Sequence, residues 1–242
     1  MLTSLFYLLI SAAALICTLQ IKNGPDEDSS DDKERALTSD IRAGMSPKQV
    51  LQAFKDGNNR FINNNLRIRK FVSEVSSTSI AQTPYAIVHS CIDSRVPVET
   101  IFDKRIGEIF STRLAGNVIN EDVLGGMEFA TKISGAKLIV VMGHTRCGAV
   151  KGAADSAEFG NLTNLVNKIK VAEEDAKNSY SGHPDPSDYN YIDHLAKVYV
   201  HHAIDQIRKE SPALSEMEAN GDLLIVSAMY NIGTGKVDFF DK

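Results

Sequence analysis

Four short aliphatic runs constrain this chain more than anything else in it. They are 85–90 (YAIVHS), 108–112 (EIFST), 137–142 (KLIVVM) and 223–229 (LLIVSAM). Their apolar residues follow one another instead of alternating, which is the pattern of strands covered on both faces. Between and after them, residues 120–134, 147–157, 162–176 and 191–209 carry helical spacing. Strands separated by helices imply right-handed crossovers. The expected fold is therefore α/β, a central parallel sheet of about four strands with flanking helices. Ser46-Pro47 opens a further amphipathic helix through Val50, Leu51, Phe54, Phe61 and Ile62, ending by Asn65. Pro, Gly, Ser and Asp mark 179–190 as a loop. With 242 residues, 43% of them hydrophobic, there is enough chain for one sizeable core, and disordered or disulfide-scaffold classes are excluded.

The ends of the chain differ from its middle. Leu5 to Cys17 is apolar apart from Ser11 and has the length of a signal-peptide core, too short for a comfortable membrane span. Residues 1–21 are thus read as a signal peptide or N-terminal anchor, implying export to the periplasm, with a cytoplasmic location as the alternative. Residues 22–44 read as an acidic linker. Six acids from Asp26 to Glu34 stand against Lys33 and Arg35, which accounts for most of the net charge of −5. Residues 45–242 read as one folded domain. No polybasic run points to nucleic acid, and no membrane contact is expected apart from the possible anchor.

In a sheet of this kind chemistry gathers where strands end. The first run leads into Cys91-Ile92-Asp93-Ser94-Arg95 and the third into Gly143-His144-Thr145-Arg146-Cys147-Gly148. If those strands are neighbours, Cys91, His144 and Cys147 converge as two sulfurs and an imidazole. That donor set suits zinc and leaves a fourth tetrahedral position open. Three other readings fit the same residues: a Cys91–Cys147 disulfide, a closed structural zinc site with Asp93 as fourth ligand, or plain packing. Asp93 shares strand parity with Cys91, and Arg95 two residues on could hold its carboxylate ionised and oriented. His89 has the same parity and reads as a hydrogen-bonded core histidine; His183, His194, His201 and His202 read as surface or packing residues.

The strings C-I-D-S-R-V at 91–96 and G-H-T-R-C-G-A at 143–149 closely resemble the zinc signature of the β-class carbonic anhydrases, plant-like branch. The likeness runs on through Gly107 to Phe110, Arg113 to Asn117, Met127 to Ala130, Ala228 to Val237 and the opening helix at 54–61, so it covers roughly residues 46–240. Leu114 stands where the family usually has Asn, and Phe129 where it often has Tyr. The resemblance implies one Zn2+ per subunit on Cys91, His144 and Cys147, and reversible hydration of CO2 to bicarbonate by zinc-bound hydroxide. It implies Asp93, held by Arg95, as the orienting catalytic pair, with Asp93 a conditional fourth ligand in a resting form. Gln82, Phe110 and Gly148 correspond to substrate-binding positions. It also implies a homodimer or larger homo-oligomer, the N-terminal helix extending onto a partner subunit. The chain has no Trp, so the inhibitory bicarbonate site that uses one in another branch is not expected. Two rivals remain: a hydrolase of carbon disulfide or carbonyl sulfide on the same scaffold, and a non-catalytic zinc or redox protein.

Overall fold

The computed structural model describes residues 39–240. The stretch 1–21 and most of the expected linker lie outside the described residues. Within them the chain runs α1 (Ser39–Gly44), α2 (Pro47–Ile62), α3 (Phe71–Thr78), β1 (Ala86–Ser90), α4 (Val98–Ile101), β2 (Ile109–Arg113), α5 (Glu121–Glu128), β3 (Leu138–His144), α6 (Gly148–Ala154), α7 (Gly160–Lys170), α8 (Glu173–Ser179), α9 (Tyr189–Glu210), α10 (Pro212–Ala219), β4 (Leu224–Tyr230) and β5 (Val237–Phe240). A π-helical turn, Phe129–Ile133, extends α5.

The sheet order is β2-β1-β3-β4-β5. The first four strands pair in parallel, as expected. A fifth strand adds to the expected four: β5 returns antiparallel to β4, Tyr230 opposite Val237. A tight loop makes that reversal possible. Asn231 Oδ1 accepts from the amides of Gly233 and Thr234 at 2.9 and 3.1 Å, and Gly235 takes φ +77°, a conformation glycine reaches without a steric cost.

Side chains on the two faces of the sheet go to two cores. Ala86, Val88, Leu138, Val140, Met142 and Val226 pack with Val50, Leu51 and Phe54 of α2. Ile87, Ile139 and Val141 face the other way, toward α5, α6, α7 and α9. Val50, Leu51 and Phe54 of the α2 stripe are thereby buried within their own chain, while Ile62 at its far end stays exposed. Ser46 caps that helix reciprocally with Gln49, as a Ser-Pro start favours. At the end of the expected linker Ser39–Gly44 is helical, and Arg42 donates to the carbonyl of Ser134. Residues 162–176 hold the end of one helix and the start of the next, α7 and α8, rather than one helix.

This strand order fixes where a site can form. From β1 the chain steps outward to β2, then crosses back over β1 to β3. The carboxyl ends of β1 and β3 therefore flank a switch point, where the connections leave in opposite directions and a crevice opens.

Candidate metal centre

Cys91 follows β1 directly and His144 ends β3, so both motifs arrive at that crevice. Cys147, at the N-cap of α6, completes the set. The donor atoms of Cys91, His144 and Cys147 lie within 4.8 Å of one another, and all three residues are buried. Both thiols are free, their sulfurs 4.0 Å apart. A disulfide needs about 2.05 Å, so that alternative is set aside. Two sulfurs bound to one tetrahedral ion at ~2.3 Å would stand roughly 3.8 Å apart, close to what is found.

The histidine tests the fit independently. Its Nδ1 lies 2.9 Å from the carbonyl of Thr145. A carbonyl only accepts, so Nδ1 carries the proton and Nε2 keeps a lone pair. Nε2 is buried with no hydrogen-bond partner. An orphaned imidazole nitrogen beside two thiols is what a zinc site requires and what a packing site avoids.

Electrostatics point the same way. The Cys91 thiol is pushed well down, first by the Cys147 thiol beside it and further by His144 and the amides of Asp93 and Gly116, against the cost of burial. Cys147 moves up, because Cys91 beside it and burial both disfavour a second thiolate. A divalent cation removes the repulsion that opposes the second ionisation.

Asp93 is clamped rather than loose. Its Oδ1 accepts from the Arg95 amide and from Nε, both at 2.9 Å, and Oδ2 accepts from Nη2 at 2.7 Å. The guanidinium holds the carboxyl well below the usual carboxylate range. Oδ2 also lies 3.9 Å from His144 Nε2. With both oxygens engaged by Arg95, Asp93 is arranged as a neighbour of the metal position.

The remaining candidates separate. Gln82 is exposed at the amino end of β1, opposite the cysteines; at about 3.3 Å per residue the strand alone keeps it roughly 15 Å or more away. Phe110 is half-buried on β2, paired with Ile87 and edge-on to Phe129, so in its own subunit it is a core residue below the site. Gly148 is exposed beside Cys147, with nothing within 4 Å of where a Cβ would stand. His89 is a core histidine, its nitrogens bonded to Thr112 Oγ1 at 2.8 Å and to the Val118 carbonyl at 3.1 Å.

Three supporting residues carry roles that the strand-end reading did not assign. Arg113 donates to the carbonyls of Cys91 and Asp93, fixing the loop after β1. Gly116 donates its amide to Cys91 Sγ at 3.3 Å from φ +63°, and a Cβ there would sit 2.5 Å from Ile169. Asp193 accepts the Arg146 amide at 2.6 Å. The first two lie inside a quoted string, which was their only signal; Asp193 had none.

Residues 86–237 match the family model described as carbonic anhydrase. Carbonic anhydrase 2 of Mycobacterium tuberculosis is 33% identical over 192 residues, covering 79% of this chain and 91% of that protein. The carbonic anhydrase of Mycolicibacterium smegmatis is 31% identical over 194 residues, covering 80% and 93%. Among solved structures, the β-carbonic anhydrase CcaA aligns with a TM-score of 0.64 at 22% identity, over 80% of this chain and 93% of that one. A Coccomyxa β-carbonic anhydrase in complex with acetazolamide gives 0.62 at 22%, over 80% and 85%. At that identity the two structures speak for the fold. Sequence match, sheet order and donor set agree, and the chain belongs to the β-carbonic anhydrases.

Proposed function

We propose that the chain catalyses the reversible hydration of carbon dioxide to bicarbonate and a proton, with Cys91, His144 and Cys147 holding one zinc ion per subunit. The observation that carries this reading is two thiols and an orphaned imidazole nitrogen meeting beside a carboxylate clamped by its own arginine. Zinc, when bound, supplies a Lewis acid that brings the pKa of a water molecule toward about 7. The chain's own groups do the rest. Asp93, kept ionised by Arg95, can only accept hydrogen bonds; it takes one from the reacting water and so selects the lone pair that meets the carbon of CO2. Arg95, by occupying both carboxylate oxygens, keeps Asp93 out of the open ligand position, so a resting form with Asp93 as fourth ligand requires that ion pair to part. Space over Gly148 leaves room for bicarbonate beside Cys147.

Exposed apolar side chains support a homo-oligomer. Ile68, Phe71, Val72 and Val75 on and before α3, and Phe129 and Ile133 on the π turn, are exposed; Glu74 of α3 accepts from the Ile106 amide just before the edge strand β2, and Phe129 packs edge-on against Phe110 within it. A two-fold contact there would cover them, and Gln82 could then serve only a neighbouring subunit's site. Among the described residues no helix is long and apolar enough to cross a membrane. The run Leu5–Cys17 supports export, which N-terminal sequencing of the mature protein from fractionated cells would test.

Metal analysis with stopped-flow CO2 hydration tests the central claim. Purified protein is expected to carry zinc, and Asp93→Asn to keep the zinc while kcat falls on the order of 100-fold. Protein that takes up no zinc overturns the ligand set; a variant as fast as wild type overturns the role of Asp93.

A further inference from the structure

The turn between His144 and Cys147 is held from outside the motif. Asp193, in the first turns of α9, accepts the Arg146 amide through Oδ1 at 2.6 Å. That N–H shares a peptide group with the Thr145 carbonyl, and the Thr145 carbonyl is the acceptor for His144 Nδ1 at 2.9 Å. In a trans peptide the N–H and C=O point in opposite directions. The carboxylate on one side of this plane therefore fixes where the carbonyl points on the other. The carbonyl in turn fixes the imidazole tautomer and aims Nε2 at the sulfurs.

Two further features show that the plane needs holding. Arg146 takes φ +56°, in the left-handed region that costs a residue with a side chain, so a flip of the 145–146 peptide is the natural relaxation. Its guanidinium also stacks over Tyr189, 5.1 Å from the ring centroid, one turn before Asp193 on the same helix. α9 thus grips Arg146 by main chain and side chain. The Thr145 side is pinned separately: its amide donates to the Tyr230 carbonyl at 3.0 Å and its Oγ1 accepts from the Ile232 amide at 3.1 Å.

We propose that Asp193 is a positioning residue for the metal centre, acting on His144 through the Thr145–Arg146 peptide as a carboxylate–peptide–histidine relay. It touches neither ligand nor substrate. What matters is an acceptor oxygen at that point, since the group it orients is a neutral amide. The relay rests on the zinc reading of the cluster, and the experiment separates the two.

Zinc affinity is measured on purified full-length protein by competition with a chromophoric chelator, alongside the electronic spectrum of the Co2+-substituted protein, for wild type and Asp193→Asn, Asp193→Glu and Asp193→Ala. Asn keeps the acceptor in place and loses the charge; Glu keeps the charge and displaces the acceptor by a methylene. The relay predicts Asn within about threefold of wild type, and Glu and Ala weaker by about 10- to 100-fold with altered cobalt bands. Arg146→Gly added to Asp193→Ala should recover most of the loss, because glycine accepts the left-handed turn unaided. Should Asp193→Ala fail to fold, the order of Asn and Glu still decides. Glu tighter than Asn, or Ala equal to wild type, overturns the relay; wild type that binds no zinc overturns the zinc reading instead.

Discussion

Lys104 lies 2% exposed, its Nζ donating to the Ala53 carbonyl at 2.9 Å with the rings of Phe54 and Tyr85 4.6 and 5.3 Å away. Burial outweighs the nearby Glu108 and pulls its pKa from 10.5 down to about 7. A depressed lysine means that between pH 7 and 10.5 the unfolded chain holds a proton the folded one lacks. Stability therefore rises with pH across that window, by up to about 1.4 kcal/mol per unit. Urea denaturation at pH 7.5 and 9 should show the rise in wild type, and Lys104→Met should flatten it; parallel profiles would refute the assignment. Nothing in the sequence marks Lys104, because its character comes from rings contributed by α2 and by the residue before β1. Cys91, His144 and Cys147 were legible for the opposite reason: sulfur and imidazole donors carry their chemistry in the residue type, and their placement at strand ends needed only the strands. Asp193 escaped because it acts across 47 residues.

At the scale of elements, buried strands and long helices were readable because an unbroken aliphatic run or a 3.6-residue period survives any tertiary setting. Short pieces were not. β5 has four residues, Val-Asp-Phe-Phe, and takes its direction from the Asn231 loop rather than from its own pattern. α1, α3, α4 and α10, eight residues or fewer, show no period of their own, whereas α5 and α6, no longer, lie inside longer runs of helical spacing at 120–134 and 147–157. One amide of α2 clasps the final hairpin by hydrogen bonds, beside apolar contacts of the same helix with Val237 and Phe239. Asn58 donates to the carbonyls of Ile101 and Gly235 at 3.3 and 2.9 Å and accepts from the Val237 amide at 2.9 Å. Asn58→Ala strands the buried Val237 amide and the half-buried Gly235 carbonyl of the hairpin and should cost about 2–4 kcal/mol in urea denaturation. A loss below about 0.5 kcal/mol would show that the hairpin holds without the amide.

For the whole molecule, the exposed apolar side chains around β2 give the oligomer a specific test. Val72 and Phe71 are 85% and 61% exposed on α3, and the double change to Asp should shift sedimentation equilibrium toward a smaller species. An unchanged mass would move the interface elsewhere. The Asn58 contacts also constrain the order in which a nascent chain can finish. Their partners are separated by 177 and 179 positions, nearly the full length described. A ribosome must release almost the entire polypeptide before that clasp can shut. The parallel strands and the metal-ligand turn are synthesised earlier and can assemble first, with Val50, Leu51 and Phe54 already packed against them, so the contacts from Asn58 to the hairpin close last, and a product truncated before position 237 would keep Cys91, His144 and Cys147 while losing that final clasp.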